Sequence, residues 1–302
     1  MSRFLVEIIR SLRPKQWIKN LFIVAPVVFS RELGNLYVDI KILAGFVLFC
    51  TMAGCVYLIN DIADAEQDRL HPEKRHRPLP SGRISRTEAV AAAAVICCLS
   101  VFFSFWLHPF FGVIVSSYFI MNLLYSFWLK HMVILDVLII AVGFVLRVEA
   151  GSVIIQIPPS PWIIMSTLLL ALFLGFAKRR GEILSEGNFY GGPEAGRASI
   201  GDSRAVLNHY SPELLDNFLL ITATAAVMSY AIYTASDYVY AKFGTHNLIY
   251  TTVFVIYGLF RYYYLIHQKN LGSNPSEVLY SDYPMVVNLV LWLTACVLII
   301  GL

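Results

Sequence analysis

ILAGFVLFCTMAGCVYLI (residues 42–59) runs uncharged straight into NDIADAEQDR (60–69). Wound as a helix, those 18 apolar residues rise about 27 Å, close to the ~30 Å hydrocarbon core of a bilayer. Asp61, Asp64, Glu66 and Asp68 therefore sit where a membrane helix leaves the lipid. That juxtaposition decides the fold class and raises the question of what the charge is for.

The apolar half of the pattern recurs along the chain. Of 302 residues, 58% are hydrophobic and 14% charged, with mean hydropathy +0.66; soluble domains carry about a quarter charged residues. Repeated apolar stretches of about 18–22 residues predict an all-α, multi-pass membrane bundle. A soluble protein of this composition would need an unusually apolar core. MSRFLVEIIRSLRPKQWIKN (1–20) lacks the long apolar region and small-residue cleavage site of a signal peptide. Its first 16 residues predict a basic amphipathic helix lying on the cytoplasmic leaflet. Cys50, Cys55, Cys97, Cys98 and Cys296 all fall in apolar spans without zinc-type spacing, and read as packing residues.

About nine spans are expected, near 17–33, 39–60, 87–107, 109–129, 132–155, 161–178, 215–236, 246–266 and 284–302, the first interrupted by Pro26. Of the 23 Lys and Arg, 19 lie in the N-terminal segment and in the connections after spans 2, 4, 6 and 8; the opposite loops hold Arg31, Lys41 and Lys242. The positive-inside rule then puts the N-terminus in the cytoplasm and the C-terminus outside. Residues 1–302 read as one integral-membrane domain. Its two longest connections, 61–86 and 179–214, face the cytoplasm and are expected to cap a central cavity.

Asp61, Asp64 and Asp68 are spaced i, i+3, i+7, which places them on one helical face, with Asn60 beside them. Three carboxylates on one stripe repel and call for a cation. Hard oxygen ligands suit Mg²⁺, which keeps waters and is completed by substrate phosphates. The alternative is a solvated helix end with ordinary charge balance. DRLHPEKRHRPLPSGRIS (68–85) follows at once and packs Arg69, Lys74, Arg75, Arg77 and Arg83 close to the acids. Such a basic loop is commonly topogenic or lipid-facing; next to the acids it also suits a metal, an anionic substrate and protein meeting in one place.

NDIADAEQDR resembles the first aspartate-rich motif, NDxxDxxxD, of the UbiA superfamily of intramembrane prenyltransferases. RPLPSGRIS is similar to the stretch that follows it there, and YSFWLK (Tyr125 to Lys130) resembles that family's tyrosine–lysine segment after the fourth span. The nine-span count agrees. The resemblance implies a UbiA-like helical bundle with Mg²⁺ on Asp61, Asp64 and Asp68. Where aromatic prenyltransferases of the family carry a second aspartate-rich motif, this chain reads GFAKRRGEIL, with Lys178, Arg179, Arg180 and a single acid, Glu182. Cations in place of carboxylates favour direct binding of an anionic group such as a phosphate. With RPKQWIKN and HPEKRHRP, this stretch resembles the family's phosphoribosyl-transferring branch. There the donor is 5-phosphoribosyl diphosphate, and the acceptor is a decaprenyl or other polyprenyl phosphate.

The resemblance gives each site residue an expected task. Asp61 and Asp64, with Asp68 through water, would hold Mg²⁺ on the donor diphosphate, and Asn60 would orient a carboxylate or a donor oxygen. Lys178 and Arg179 are expected on phosphate, with Lys74, Arg75, Arg77, Lys130 and the Tyr125 segment as further substrate contacts. Lys15 and Lys19 could face the lipid phosphate from the interface. Glu182, four residues after Lys178, would orient that lysine or touch a ribose hydroxyl, or form a plain helix-surface pair. Arg147 lies inside a span, where an unpaired charge is expensive, and is expected to line the polar cavity rather than pair with another span. The histidines show no ligand spacing. YGGPEAG (190–196) is either a cap over the donor or a linker.

The chain is thus expected to work in the bilayer of a prokaryotic plasma membrane, singly or as a homo-oligomer, with no nucleic-acid partner. A prenyl-diphosphate transferase acting on an aromatic acceptor is the nearest alternative; the missing second acidic motif argues against it. A cation transporter would scatter polar residues at mid-membrane depth, whereas here the ionisable residues cluster at the inner edge, with Arg147 the main exception.

Overall fold

Several helices begin at a side chain able to cap them. Asn35 accepts from the Tyr37 N–H (3.2 Å) and Ser211 from the Leu214 N–H (3.2 Å). Ser85 and Glu88 form a reciprocal capping box, with Glu88 N–H on Ser85 Oγ (3.2 Å) and Ser85 N–H on Glu88 Oε2 (2.7 Å). The computed structural model describes residues 2–30, 32, 34–70, 74–189, 202–269, 278 and 281–301, and among these the regular structure is helical throughout. The α-helices are α1 (Ser2–Ser11), α2 (Ala25–Val28), α3 (Leu36–Ala63), α4 (Ala65–Leu70), α5 (Arg86–Leu107), α6 (Pro109–Phe127), α7 (Leu135–Ile155), α8 (Pro161–Phe189), α9 (Pro212–Ala235), α10 (Asp237–Phe243), α11 (Thr252–Gln268) and α12 (Tyr283–Gly301).

Eight helices among the described residues are long and apolar enough to cross a membrane: α3, α5, α6, α7, α8, α9, the run Asn247–Gln268 that ends in α11, and α12. The multi-pass, all-helical expectation holds. The expected first span, 17–33, takes another form: a 3-10 helix over Pro14–Val24 followed by the short α2. Pro26 lacks the backbone donor and crowds the carbonyl four residues earlier, which breaks a continuous α-helix through the run; Pro14, at the first helical position, costs no donor. A 3-10 helix rises about 2.0 Å per residue, so these two pieces together still reach about 28 Å, roughly one hydrocarbon thickness.

At 28 residues, α3 is about 42 Å long, so its end projects past a ~30 Å core. Asp61 rides on that projecting end, with Asp64 and Asp68 just beyond it. Large apolar side chains point outward elsewhere, among them Trp106, Phe110 and Phe260; lipid is the solvent they fit.

The sequence reads as one domain, and the packing resolves it into two compact units. The first takes in the described residues of 1–128 and 146–158; the second takes in those of 129–145 and 159–302. α7 contributes its first half to the second unit and its second half to the first. The core of the first unit is built on Phe49, Met52, Leu58, Phe111, Val115 and Ile154. That of the second is built on Val137, Phe173, Phe176, Leu215, Leu219 and Leu265. In the first unit Gly151 lets the 3-10 segment lie against α7: a Cβ there would come within 2.0 Å of the Ile23 carbonyl oxygen.

Candidate active site

In the first unit, α3 ends at Ala63 and Asp64 bends the chain (φ −97°, ψ 9°) before α4. The expected single helical face is thus interrupted, but only slightly. Asp64 N–H still bonds the Asn60 carbonyl (2.9 Å), and Asp68 N–H bonds that of Asp64 (2.8 Å). Asp61 and Asp68 keep to one side and are buried, 2% and 3% exposed. Asp64 sits half-exposed at the bend.

Arginines bind the two buried carboxylates. One Arg77 nitrogen lies 3.1 Å from Asp61 Oδ1 and 2.5 Å from Asp68 Oδ2, so those oxygens are at most 5.6 Å apart. Lys74 Nζ is 3.6 Å from Asp68 Oδ1. The loop itself delivers Arg77. Arg77 N–H bonds Lys74 O (3.0 Å), Ser81 N–H bonds Arg77 O (3.0 Å) and Arg83 N–H bonds Pro78 O (3.0 Å), while Gly82 takes the left-handed conformation (φ 74°) that closes the turn. Arg83 reaches the His76 carbonyl and Glu7 Oε2 (3.1 Å), tying the loop to α1. Arg75 is exposed beside His76 (3.4 Å).

Arg13 also donates to Asp61 Oδ1, and its guanidinium lies 4.8 Å from the Tyr57 ring centroid. Its backbone is left-handed (φ 52°, ψ 64°), an uncommon state for a non-glycine residue and one that clusters at functional sites. Arg13 stands inside SLRPKQWIKN yet was not singled out by its spacing. The signal available was Pro14, which disfavours the right-handed helical conformation at the residue before it. Lys15 is exposed and Lys19 half-buried on the same 3-10 helix. Asn60 accepts from the Ser126 hydroxyl of α6, and Tyr125 is half-buried beside it.

Arg147 belongs to this unit but is enclosed rather than set on an open cavity wall, at 5% exposed. Its Nε donates to Asn20 Oδ1 (2.7 Å) and an Nη to the Tyr118 hydroxyl (3.0 Å), with the Phe49 and Tyr118 rings 5.3 and 4.9 Å away. Polar and aromatic partners make a buried cation tolerable.

The second unit gathers the basic replacement motif. The three cations of Lys178-Arg179-Arg180 part ways. Arg179, 2% exposed, donates from Nε to Asp136 Oδ2 (2.7 Å) and from an Nη to Glu182 Oε2 (2.7 Å). Arg180 donates to Asp216 Oδ1 (2.5 Å), which His267 also meets (3.1 Å). Lys178 stays more open, its side chain 36% exposed, with Nζ 3.8 Å from Glu182 Oε1. The i,i+4 pairing expected of Lys178 and Glu182 is present. Arg179 differs from expectation: it is a buried strut, because Asp136, fully enclosed on α7, needs a cation.

The Tyr210 hydroxyl donates to Asp136 Oδ1 (2.7 Å) and accepts the Ile134 N–H (2.6 Å). Burial, followed by the bond to Asp136, pushes the Tyr210 phenol far above its usual range, so it remains a neutral donor. Ile134 is itself left-handed (φ 69°). The pairs Asp136–Arg179, Asp136–Tyr210 and Asp216–Arg180 leave no mark in spacing, since the partners lie dozens of residues apart. Lys130 is half-buried in the 3-10 helix Leu129–His131 of this unit. His71 and YGGPEAG lie outside the described residues.

No three His, Cys, Asp or Glu side chains gather as a metal cage among the described residues. The donor chemistry of Asp61, Asp68 and Asn60 nonetheless fits Mg²⁺, which takes one or two carboxylates and leaves its other positions to water and phosphate. A cationic nitrogen already bridges the two carboxylates.

These features define a multi-pass helical membrane protein with charged networks at the ends of its spans. The chain belongs to the UbiA prenyltransferase family, whose model matches residues 22–181. It is similar to the decaprenyl-phosphate phosphoribosyltransferase of Mycolicibacterium smegmatis, 33% identical over 76% of this chain and 70% of that one. It is also similar to the enzyme of that name from Corynebacterium glutamicum, 35% identical over 74% and 66%. A UbiA homologue from Archaeoglobus fulgidus, solved bound to DMAPP and Mg²⁺, shares the fold with a TM-score of 0.70, at 20% identity over 98% of this chain and 99% of that one.

Proposed function

We propose that this protein transfers the 5-phosphoribosyl group of phosphoribosyl diphosphate to a polyprenyl phosphate such as decaprenyl phosphate, at the cytoplasmic side of a prokaryotic plasma membrane. The observation that carries the reading is Lys178. In a motif where prenyl-transferring relatives would need carboxylates for a second metal, this chain holds a reachable ammonium braced by Glu182. The names of its relatives agree with it.

The residues divide the work. Asp61 and Asp68, buried on one side, would hold Mg²⁺, and half-exposed Asp64 would contribute through water, an exchange of the roles expected of Asp64 and Asp68; Asn60 is fixed by Ser126. When bound, the ion neutralises the donor diphosphate and steadies it as a leaving group. Arg13, Arg77 and Lys74, already at these carboxylates, supply the further positive charge that a departing diphosphate requires. Lys178 holds the acceptor's phosphate. One of its oxygens forms the new bond to ribose C1 as the C1–O bond to diphosphate breaks, and diphosphate leaves with the electron pair. That oxygen is already anionic near neutral pH, so no strong base is needed; the protein's task is to position two anions.

The test is an assay of purified protein in lipid, with labelled phosphoribosyl diphosphate, polyprenyl phosphates of several lengths, and Mg²⁺ or a chelator. Phosphoribosyl lipid should form only with Mg²⁺, and both Asp61→Asn and Lys178→Ala should abolish turnover. Near-normal activity of Asp61→Asn would sink the metal assignment. Prenyl transfer to an aromatic acceptor, with no phosphoribosyl lipid formed, would overturn the reading.

A further inference from the structure

Phosphoribosyl diphosphate carries two separate anionic groups, a diphosphate on C1 and a phosphate monoester on C5. The Asp61 site answers the first and Lys178 answers the acceptor, so the 5-phosphate still needs a partner.

Lys19 stands in the first unit, on the 3-10 helix Pro14–Val24. Lys15 of the same helix is exposed, whereas Lys19 is half-buried. Among the described residues its ammonium meets no carboxylate and no hydrogen-bond acceptor, and the charged groups that act on it are two cations, Arg147 and Arg13. An enclosed ammonium beside two guanidiniums works against the fold. Such a charge has a place where an anion comes to it.

The neighbours suit that anion. Arg13 donates one Nη to Asp61 and its side chain is 28% exposed. A guanidinium carries five N–H donors, so Arg13 can serve Asp61 and still meet a ligand. Tyr57, whose ring lies 4.8 Å from the Arg13 guanidinium, is four residues before Asp61 on α3, one turn along the same face. Lys19 follows Arg13 by about 12 Å at the rise of a 3-10 helix, and the next residue, Asn20, fixes Arg147 (2.7 Å). Cationic groups therefore continue from the acidic site along this segment.

We propose that Lys19, together with Arg13, binds the 5-phosphate of the donor, in a phosphate-monoester subsite continuous with the Asp61 site. This rests on the reading of phosphoribosyl diphosphate as the donor. Arg13 belongs to both sites, pairing with Asp61 on one side and standing near Lys19 on the other. The two anionic groups of one molecule thus meet adjoining cations. A prenyl diphosphate has no second anionic group, so the subsite favours the phosphoribosyl donor over it. The acceptor's phosphate is a monoester too, and the experiment separates the two sources.

Titration calorimetry of the full chain in detergent measures the Kd of two probes, ribose 5-phosphate and geranyl phosphate, with a melting curve for each variant. Lys19→Met should weaken ribose 5-phosphate at least about tenfold, the scale of a hydrogen bond to a charged group. It should leave geranyl phosphate unchanged and, without ligand, melt no lower than the parent. Lys19→Arg, which keeps the charge, should retain ribose 5-phosphate. The proposal is overturned if the parent shows no saturable binding of ribose 5-phosphate, if Lys19→Met binds it equally well, or if the loss is as large for geranyl phosphate. Should Lys19→Met not fold, Lys19→Gln is read by the same criteria. Kinetics keep this failure apart from failure of the proposed function. Phosphoribosyl lipid made with the same donor KM by parent and Lys19→Met overturns the subsite alone. Ribose 5-phosphate held through Lys19 in a protein that makes no phosphoribosyl lipid overturns the transfer reading and leaves the phosphate subsite standing.

Discussion

At the residue scale, the weight of the acidic site rests on a side chain that local spacing did not favour. Lys15 and Lys19 have the look of interfacial cations, but Arg13 is the one that reaches Asp61. A carboxylate 2% exposed depends on its cations, and losing one partner of such a pair is costly even where Arg77 remains. Arg13→Ala should therefore lower unfolding stability in detergent by about 1–3 kcal/mol, while Lys15→Ala should stay within about 0.5 kcal/mol of the parent. Equal melting temperatures for the two variants would show that the Arg13 contact carries no stability. Arg147 teaches the complementary lesson. Its depth in the sequence was plain, but depth alone does not separate a cavity wall from an enclosed cage; Asn20 and Tyr118 decide that.

At the element scale, the 3-10 segment Pro14–Val24 is the part that sequence reading rendered least faithfully. Apolar content placed a span there. In the structure the left-handed Arg13 precedes a tighter, longer-reaching 3-10 helix, and Pro26 stands in the short helix that follows it. Its seat against α7 depends on Gly151, where even one methyl group would meet the Ile23 carbonyl. Backbone cannot move aside as cheaply as a side-chain tip. Gly151→Ala should cost about 1–3 kcal/mol, read as a lower melting temperature in detergent; Gly301→Ala, with open space around its Cβ position, is the control. If both substitutions are silent, the close approach at Gly151 is not tight in solution.

At the scale of the whole molecule, charge asymmetry and span count make one joint prediction. With 19 of 23 basic residues assigned to one side, the N-terminus should face the cytoplasm. If the 14–28 segment crosses along with the eight longer helices among the described residues, the C-terminus is expected outside. In intact cells, an epitope at the C-terminus should then be accessible to an impermeant label and one at the N-terminus should not. Two epitopes on the same side would mean that the 3-10 segment lies in the interface instead.

The sequence by itself determined the membrane class, the long spans, the acidic stretch at the end of α3 and the basic motif on α8. All of these are set by local physics: run length against bilayer thickness, helical period, and composition. Only the tertiary structure decided which charges meet. Arg13 and Asp61 are 48 positions apart, Arg179 and Asp136 are 43, and Tyr210 and Asp136 are 74. No periodicity reports such pairs. They form because burying a carboxylate away from water forces it to find a cation or donor, wherever along the chain that partner lies. That requirement turned Arg179 from an expected phosphate ligand into a strut, and left Lys178 as the most exposed cation of the three-residue basic run.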